Sequence, residues 1–247
     1  MAQPRTPASP KKPAGTQKRT GTEESGRAEH RWPAAIALVT ALALYALLPS
    51  SFFPPLRFGV VALGLLLLIP VLAVNPVRLH RQTPWSRILS VTQTLLLLVA
   101  NQVALVQLVF QLISSGTDNG PTLLLAALQV WVTNVIVYAL LYWEIDRGGA
   151  VARAKSARED LPPADFRFPQ DEDHDAIEEV AVRSSGRLNW TASYIDYLYF
   201  SLSNSMAFSP TDSMPLSHRA KMLMGLQSFV AFVILALVIA RAVSLLG

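Results

Sequence analysis

The sequence predicts an all-α, polytopic membrane helix bundle with four N-terminal spans and a C-terminal helical hairpin. The 247-residue chain is 51% apolar and 15% charged, whereas soluble domains carry about 25% charged residues. Its apolar residues stand in blocks long enough to cross a bilayer, which takes about 20 residues of helix. The chain contains no cysteine, which excludes disulfides, thiolate catalysis and cysteine-ligated metal centres.

Residues 1–31 form a polar, basic tail rich in Pro, Ala, Gly and Thr. A segment with so few large apolar side chains cannot offset the entropy of ordering, so we expect it to be disordered. The first apolar run begins only at Pro33, which is later than in a signal peptide, and this predicts an uncleaved first span. A solvated arm that fixes topology is favoured over contact with anionic lipid or with nucleic acid, which is not predicted as a partner.

Four apolar blocks between residues 32 and 144 are predicted to be transmembrane helices. The predicted spans are Pro33–Leu48, Phe58–Val74, Ile88–Ile113 and Pro121–Trp143. Pro70 lies inside the second span and removes one backbone hydrogen bond, which predicts a bend. Because the joins are short, successive spans should pack as antiparallel neighbours.

Lysine and arginine alternate between the joins. The tail, the 75–87 join and the segment after the fourth span are basic, whereas the 50–57 join has Arg57 alone and the 114–120 join has no basic residue. Basic loops stay in the cytoplasm, so we expect a multi-pass protein of the plasma (inner) membrane with a cytoplasmic N-terminus. Interfacial indoles are expected at the predicted span boundaries, where the sequence has Trp32, Trp85, Trp143 and Trp190.

Residues 145–189 are predicted to be a polar cytoplasmic linker that begins basic and becomes acidic. Its run Asp171–Asp175 offers carboxylates and one imidazole, which are ligands for hard ions, but lacks the central glycine of an EF-hand loop. A solvated acidic stretch is the favoured interpretation, and neither a metal nor another cofactor is predicted.

Polar side chains within the predicted spans leave two interpretations open. At about 100° per residue, Gln93, Gln107 and Gln111 share one face of the third span, with Asn101 beside it. In one interpretation these side chains line a polar path, and in the other they form hydrogen bonds between helices. The second interpretation is favoured, because amides do not ionise. Asp196 lies at the membrane interface or acts as a buried acid that handles protons or cations.

The C-terminal region, residues 190–247, resembles the pore module of two-helix potassium channels. In this alignment Tyr197–Leu202 is the pore helix, Phe208–Asp212 replaces the filter sequence V-G-Y-G-D, and Pro215 opens the inner helix. Both filter glycines are replaced and Pro210 fixes φ, so a potassium-selective filter is not expected. The candidate pore or turn residues are Asp196, Ser201, Asn204, Phe208, Ser209, Pro210, Thr211, Asp212 and Pro215.

The segment 209–212 also has good turn chemistry, since proline fixes φ and aspartate bonds local amides. A local structural role for this turn is therefore the alternative to lining a pore. In the same region the chain is similar to a bacterial family of uncharacterised integral-membrane proteins. The matching segments are Asp165–Pro169, Asp196–Tyr199, Asn204–Ser217 and Lys221–Met224. This resemblance covers residues 165–246, and it implies a fold and a membrane address but no activity.

The route of residues 190–208 has two predictions. With residues 145–189 inside, the preferred path has six crossings, of which 190–208 is the fifth, and Arg241 near the inner surface. The alternative is a re-entrant segment over 194–212. We expect a homo-oligomer in the lipid bilayer that conducts ions or small solutes, or else a membrane scaffold or sensor that recruits a soluble partner through residues 145–189. Enzymatic activity is not predicted, because the chain lacks a Gly-x-Ser-x-Gly elbow and a phosphate-cradling glycine loop.

Overall fold

A computed structural model describes residues 29–49, 52–74, 84–114, 120–156, 160–172, 177, 180, 183, 190–206 and 213–246. The helices in these ranges are α1 (Trp32–Ala46), α2 (Pro54–Val74), α3 (Pro84–Ser114), α4 (Gly120–Ile145), α5 (Ala150–Lys155), α6 (Tyr194–Ser205) and α7 (His218–Leu246). Short 3-10 turns cover Asp146–Gly148 and Pro169–Asp171, and the two short strands are β1 (Phe166–Arg167) and β2 (Met214–Pro215).

The prediction of a mostly helical membrane protein is confirmed. Helices α2, α3, α4 and α7 are long and apolar enough to cross a bilayer, and α1 is a shorter apolar helix. Their outer faces expose large apolar side chains, among them Leu66 at 62%, Phe110 at 68% and Phe229 at 65% exposure. Such faces are costly in water but suit contact with acyl chains, so lipid is the natural solvent of this bundle.

Helix α4 occupies the centre of the bundle. Helices α1, α3, α6 and α7 all pack against it, and most of its length from Gln129 to Glu144 is buried. Its small side chains Ala126, Ala127 and Ala139 have no exposed surface. Small residues let helices approach closely, which is the main source of attraction between helices in lipid.

The bundle has two ends, which we call proximal and distal. At the proximal end α1 begins and α4 ends, and the indole N–H of Trp143 donates to the carboxylate of Glu29. At the distal end α1 ends and α4 begins, and the Gln129 side chain donates to the carbonyl of Leu47. The first four helices therefore run antiparallel to their sequence neighbours, as predicted.

Amide side chains within the spans hydrogen-bond between helices, which was the favoured interpretation. Gln93 on α3 donates to the carbonyl of Gly64 on α2 at 2.8 Å, and Asn101 on α3 donates to Asn134 on α4 at 3.1 Å. Gly64 lies close to α1, since a Cβ there would be 2.6 Å from Cδ2 of Leu42, and a larger residue would require that leucine side chain to shift. These contacts fix the order of α1, α2 and α3 around α4.

The tryptophans predicted at the span boundaries differ in exposure. Trp32 and Trp85 are 55% and 51% exposed, as interfacial side chains would be. Trp143 is only 5% exposed. Its indole N–H donates to Glu29 within the protein, and its placement at the membrane interface stays a prediction.

Candidate functional site

Helix α6 begins at Tyr194 because Ser193 and Asp196 form a capping box. The backbone N–H and the hydroxyl of Ser193 both donate to Oδ2 of Asp196, at 2.7 and 2.8 Å. A capping box satisfies donors that a helix start otherwise leaves unpaired. The half-buried carboxylate of Asp196 is thus engaged in starting the helix.

From this start α6 descends into the bundle between α4 and α7. The hydroxyl of Ser201 donates to the carbonyl of Val135 on α4 at 2.7 Å, and the Asn204 amide donates to the carbonyl of Met224 on α7 at 3.1 Å. The helix axis between Val135 and the end of α4 at Ile145 covers about 15 Å. The second half of α6 therefore lies well below the proximal surface.

At residues 213–217 the chain is again at the proximal end. Strand β2 pairs antiparallel with β1, which places Pro215 opposite Phe166. The Ser217 hydroxyl accepts the N–H of Ala220, so Ser217 caps α7, and Nε of Arg219 donates to Asp165 at 2.7 Å. Helices α6 and α7 consequently both begin at the proximal end, and we call residues 194–217 the hairpin.

A fifth crossing over residues 190–208 does not fit this geometry. Helix α6 has 12 residues, which is about 18 Å of helix, and the hydrocarbon core is about 30 Å thick. For the re-entrant alternative over 194–212, the described residues 194–206 begin at the proximal end, and the next described residues, 213–217, lie at that same end. Helix α7 carries Arg241 to the distal end, opposite Arg219, and its expected place near the inner surface stays a prediction.

Gln227 on α7 is the centre of a polar cluster and has no exposed surface. Its Oε1 accepts hydrogen bonds from the Tyr142 hydroxyl at 2.7 Å and from the Asn204 amide at 2.8 Å. Its Nε2 donates to the hydroxyls of Ser201 at 2.6 Å and Ser205 at 2.7 Å. One amide on α7 therefore holds α6 and α4 together in the membrane interior.

Aromatic rings pack the segment after α4 onto the same site. Phe166 and Phe168 are 0% and 4% exposed. The ring of Phe166 meets that of Tyr142 edge-on at 4.9 Å, and Phe168 meets Tyr197 edge-on at 5.3 Å. The described residues up to 172 thus form a packed cover over the hairpin, although the sequence predicts a polar linker there.

Asp146, directly after α4, organises this cover. Its fully buried carboxylate accepts the N–H of Asp165 at 2.8 Å through Oδ1 and the Tyr197 hydroxyl at 2.6 Å through Oδ2. Nη1 of Arg153 donates to the carbonyl of Asp146 at 2.7 Å and to that of Trp143 at 2.9 Å. These bonds satisfy the carbonyls at the end of α4, which lack helical partners.

Glu29 joins three helices just before the start of α1. Its Oε1 accepts the N–H of Tyr194 at 2.6 Å, and its Oε2 accepts the indole N–H of Trp143 at 3.0 Å. Burial raises the pKa of Glu29 above the usual 4.5, and these two hydrogen bonds offset part of that rise. Protonation of Glu29 therefore begins at a higher pH than that of a solvated glutamate.

The structure brings two of the predicted site residues, Ser201 and Asn204, together around Gln227. Asp196 lies at the proximal start of α6. Pro215 lies in β2, so it does not open the last helix, which begins at His218. The remaining predicted residues lie outside the described part of the chain, and they are Phe208, Ser209, Pro210, Thr211 and Asp212.

Sequence reasoning missed Gln227, Tyr142 and Arg153. A usable signal existed for Gln227, which is the only amide in the apolar run from Met222 to Leu246. No comparable signal marks Tyr142, because tyrosine is unremarkable in a membrane helix. Arg153 has none either, since in the sequence it is one of several cations after α4.

Among the described residues, no group of three or more His, Asp or Glu side chains is placed to hold a metal ion. Of the acidic run, the structure describes Asp171 and Glu172, and they pair with Arg147 at 2.6 Å and Arg167 at 2.7 Å. Both described carboxylates of the run are therefore paired with arginines, and Asp173, His174 and Asp175 lie outside the described residues.

Comparisons of this chain with family models, with curated proteins and with solved structures find no match.

Proposed function

We propose that this chain is a multi-pass protein of the plasma (inner) membrane whose re-entrant hairpin lines a path for ions or small solutes. Support comes first from the distribution of charge. Seven described cations stand at the proximal end on or beside the helices, and they are Arg31, Arg87, Arg147, Arg153, Lys155, Arg219 and Lys221, whereas the distal end has Arg57 and Arg241. The proximal end and the N-terminus are therefore cytoplasmic.

The observation that carries the proposal is that α6 and α7 both begin at the proximal end. A channel pore loop has a similar layout: a short helix enters the membrane, a polar loop returns, and a long helix crosses. Non-helical backbone at membrane depth is tolerated where it lines a cavity or is covered by protein. In this proposal residues 207–212, which include Asp212, face the path.

The path forms between copies of the chain. Within one copy, Ser201, Asn204 and Ser205 already bond to Gln227, so the inner face of α6 offers no free polar groups for a solute. The outer face presents Ile195 and Tyr199, which are 56% and 70% exposed and one helical turn apart. This apolar stripe is suited to packing against another copy, so a homo-oligomer is part of the proposal.

Potassium selectivity is not part of this proposal. A potassium filter uses glycines so that successive carbonyls point at the ion, and this chain has Ser209 and Thr211 in their places, with Pro210 between them. The carboxylate of Asp212 favours cations over anions by charge. We therefore propose weakly selective cation or small-solute passage without a catalytic activity.

Flux from proteoliposomes tests this proposal. Proteoliposomes that contain the purified chain should release a labelled cation or change the signal of a cation-sensitive dye. The Asp212→Asn variant should lower cation flux relative to anion flux. Asp160→Asn is the matched control, because it removes an exposed carboxylate on the proximal side and outside the hairpin. Absence of flux for cations, anions and small neutral solutes, with the protein shown to be folded and inserted, would contradict the proposal.

A membrane scaffold or sensor is the second candidate. It is favoured by two exposed apolar side chains in the cytoplasmic segment, Ile177 at 64% and Val180 at 44% exposure. Such residues on a polar segment suit contact with a soluble protein. Replacing both by serine should abolish capture of that partner while leaving flux unchanged. Unchanged capture together with altered flux would favour the pore.

A further inference from the structure

We propose that a cavity at the proximal end binds the phosphate group of an anionic ligand. The cavity has a volume of about 350 Å³, and its wall includes Arg147, Arg153, Arg167, Asp171 and Thr191. It lies in the cover formed after α4, beside the start of α6. This site is separate from the hairpin's inner face, so the inference does not rest on the proposed conduction.

The guanidinium of Arg153 is the strongest evidence for a ligand. Arg153 is 3% exposed, and its Nη1 is occupied by the carbonyls of Trp143 and Asp146. Its Nε and Nη2 are buried and have no hydrogen-bond partner among the described residues. Buried donors are almost always paired, so two unpaired N–H groups on one charged side chain mark a place where an acceptor is missing.

The geometry of those two donors fits an oxyanion. Nε and Nη2 lie on the same edge of the planar guanidinium, where they present two parallel N–H bonds to two oxygens of one anion. One planar face of the guanidinium is covered, since the centroid of the Tyr197 ring lies 5.0 Å from Cζ of Arg153. The free edge is therefore the part of Arg153 left for recognition.

The net positive charge of the cavity wall favours an anion that carries more negative charge than one carboxylate. Three guanidiniums stand against the single carboxylate of Asp171. Asp171 pairs with Arg147, and Glu172, which is not part of the wall, pairs with Arg167. Arg153 is left without a carboxylate within 4.0 Å among the residues described.

Nearby acids do not neutralise Arg153 directly. Glu29 and Glu144 both interact electrostatically with Arg153, but the Glu29 oxygens are bonded to Trp143 and Tyr194, and Glu144 accepts the hydroxyl of Ser90. Asp146 offers Arg153 its backbone carbonyl, while its carboxylate is bonded to Tyr197 and to backbone N–H groups. A phosphate group has the charge and the three or more acceptor oxygens to bond the free edge of Arg153 and still reach Arg147 or Arg167.

Size and position fit a phosphate on a small group or on a lipid. The cavity volume falls at the lower end of the range for small-molecule sites, which is about 300–1,000 Å³. The wall lies next to the end of α4, where headgroups meet the protein, and arginine clusters in such places bind anionic headgroups. The shared chemistry is the phosphate group, and its source is either a lipid headgroup or a soluble phosphate.

The test is isothermal titration calorimetry on the full chain in a neutral detergent. The probes are inorganic phosphate, dihexanoyl phosphatidic acid and dihexanoylglycerol, which has the same chains without phosphate. Arg153→Lys keeps one donor for the carbonyls of α4 but loses the free edge, and Arg167→Gln removes a second cation. Losing a charge-assisted hydrogen bond should weaken binding by about tenfold or more.

Lys155→Gln is the matched control, because Lys155 is an exposed cation on α5 that does not line the cavity. It should bind the probes as the unaltered chain does. Circular dichroism in the same detergent checks the fold. If Arg153→Lys does not fold, Arg167→Gln decides alone, since its side chain is 37% exposed and its carboxylate partner is on the surface.

Binding of phosphatidic acid alone identifies a lipid headgroup as the ligand, and equal binding of inorganic phosphate identifies a soluble one. Either result supports the site if both arginine variants weaken it and the control does not. The inference is overturned if neither phosphate probe binds at about 1 mM. It is equally overturned if dihexanoylglycerol binds as well as phosphatidic acid, or if the arginine variants bind as tightly as the control.

Discussion

Replacing Gln227 by leucine should destabilise the chain more than any other single amide substitution in its spans. The side chain of Gln227 is fully buried and bonds to Tyr142, Ser201, Asn204 and Ser205. Leucine is apolar and of similar volume, so packing changes little. The substitution instead leaves the Tyr142 hydroxyl and the Asn204 amide short of a partner deep in the bundle.

The expected magnitude follows from the number of bonds. A primary amide offers two N–H hydrogens and two carbonyl lone pairs, which allows at most four full hydrogen bonds. Hydrogen bonds between membrane helices average about 0.6 kcal/mol and reach about 1.7 kcal/mol, so four of them contribute roughly 2 to 7 kcal/mol. We expect a loss of about 3 kcal/mol, because the freed hydroxyls partly re-pair with backbone carbonyls.

The assay is reversible unfolding in mixed micelles with increasing dodecyl sulfate, followed by circular dichroism. Gln102→Leu is the matched control, because it is the same substitution on α3 and Nε2 of Gln102 has no hydrogen-bond partner in the described chain. The control should change the free energy of unfolding by less than about 0.5 kcal/mol or increase it slightly. If the two variants unfold with the same free energy, the assignment of Gln227 as the link between α4, α6 and α7 is wrong.

Three further substitutions test the cover and the helix starts. The pKa of Glu29 is raised above 4.5 in the folded chain. The stability that Glu29 contributes is therefore fully present below pH 4.5 and is lost as the pH rises through the folded-state pKa. In the same unfolding assay at a series of pH values, the unfolding free energy of the unaltered chain minus that of Glu29→Gln should grow as the pH falls. Asp165→Asn weakens the ion pair that holds Arg219, so hydrogen exchange of residues 214–221 should accelerate, as measured by mass spectrometry, whereas unchanged exchange would contradict the pairing. Asp196→Ala removes the capping box and should lower the unfolding free energy by about 1 kcal/mol, without the larger loss expected at Gln227.

The spans are predictable from the sequence because hydropathy and length are local properties. The predicted Ile88–Ile113 and Pro121–Trp143 lie within the observed α3 and α4. The bonding of Gln93 and Asn101 between helices also follows from local chemistry, since amides in lipid need partners. The identity of those partners, Gly64 and Asn134, depends on the packing and is not visible in the sequence.

The hairpin is harder to predict because its course depends on contacts between distant residues. Counting apolar length makes residues 190–208 long enough to cross, but the capping box at Ser193 starts α6 late and the helix ends at Ser205. The return to the proximal end is fixed by the bond of Arg219 to Asp165, 54 positions earlier in the chain. A sequence pattern records each of these residues but not their pairing.

The packed cover after α4 is underestimated for the same reason. Asp146, Asp165 and Arg153 look like ordinary charged residues of a solvated linker. They are buried because each finds a partner on another segment, as Asp146 does at Tyr197. Charge alone therefore predicts solvent exposure, and only the fold shows where a charge is paired.

The central claim is that α6 and α7 both begin at the same end of the bundle, and thiol labelling tests it most directly. The chain has no cysteine, so single cysteines can be placed at the exposed positions Ser156, Leu216 and Ser244. A membrane-impermeant maleimide applied to one face of sealed vesicles should label Ser156→Cys and Leu216→Cys together, and Ser244→Cys only from the opposite face. Labelling of Ser156→Cys and Leu216→Cys from opposite faces would mean that residues 190–208 cross the membrane, and it would contradict the re-entrant hairpin.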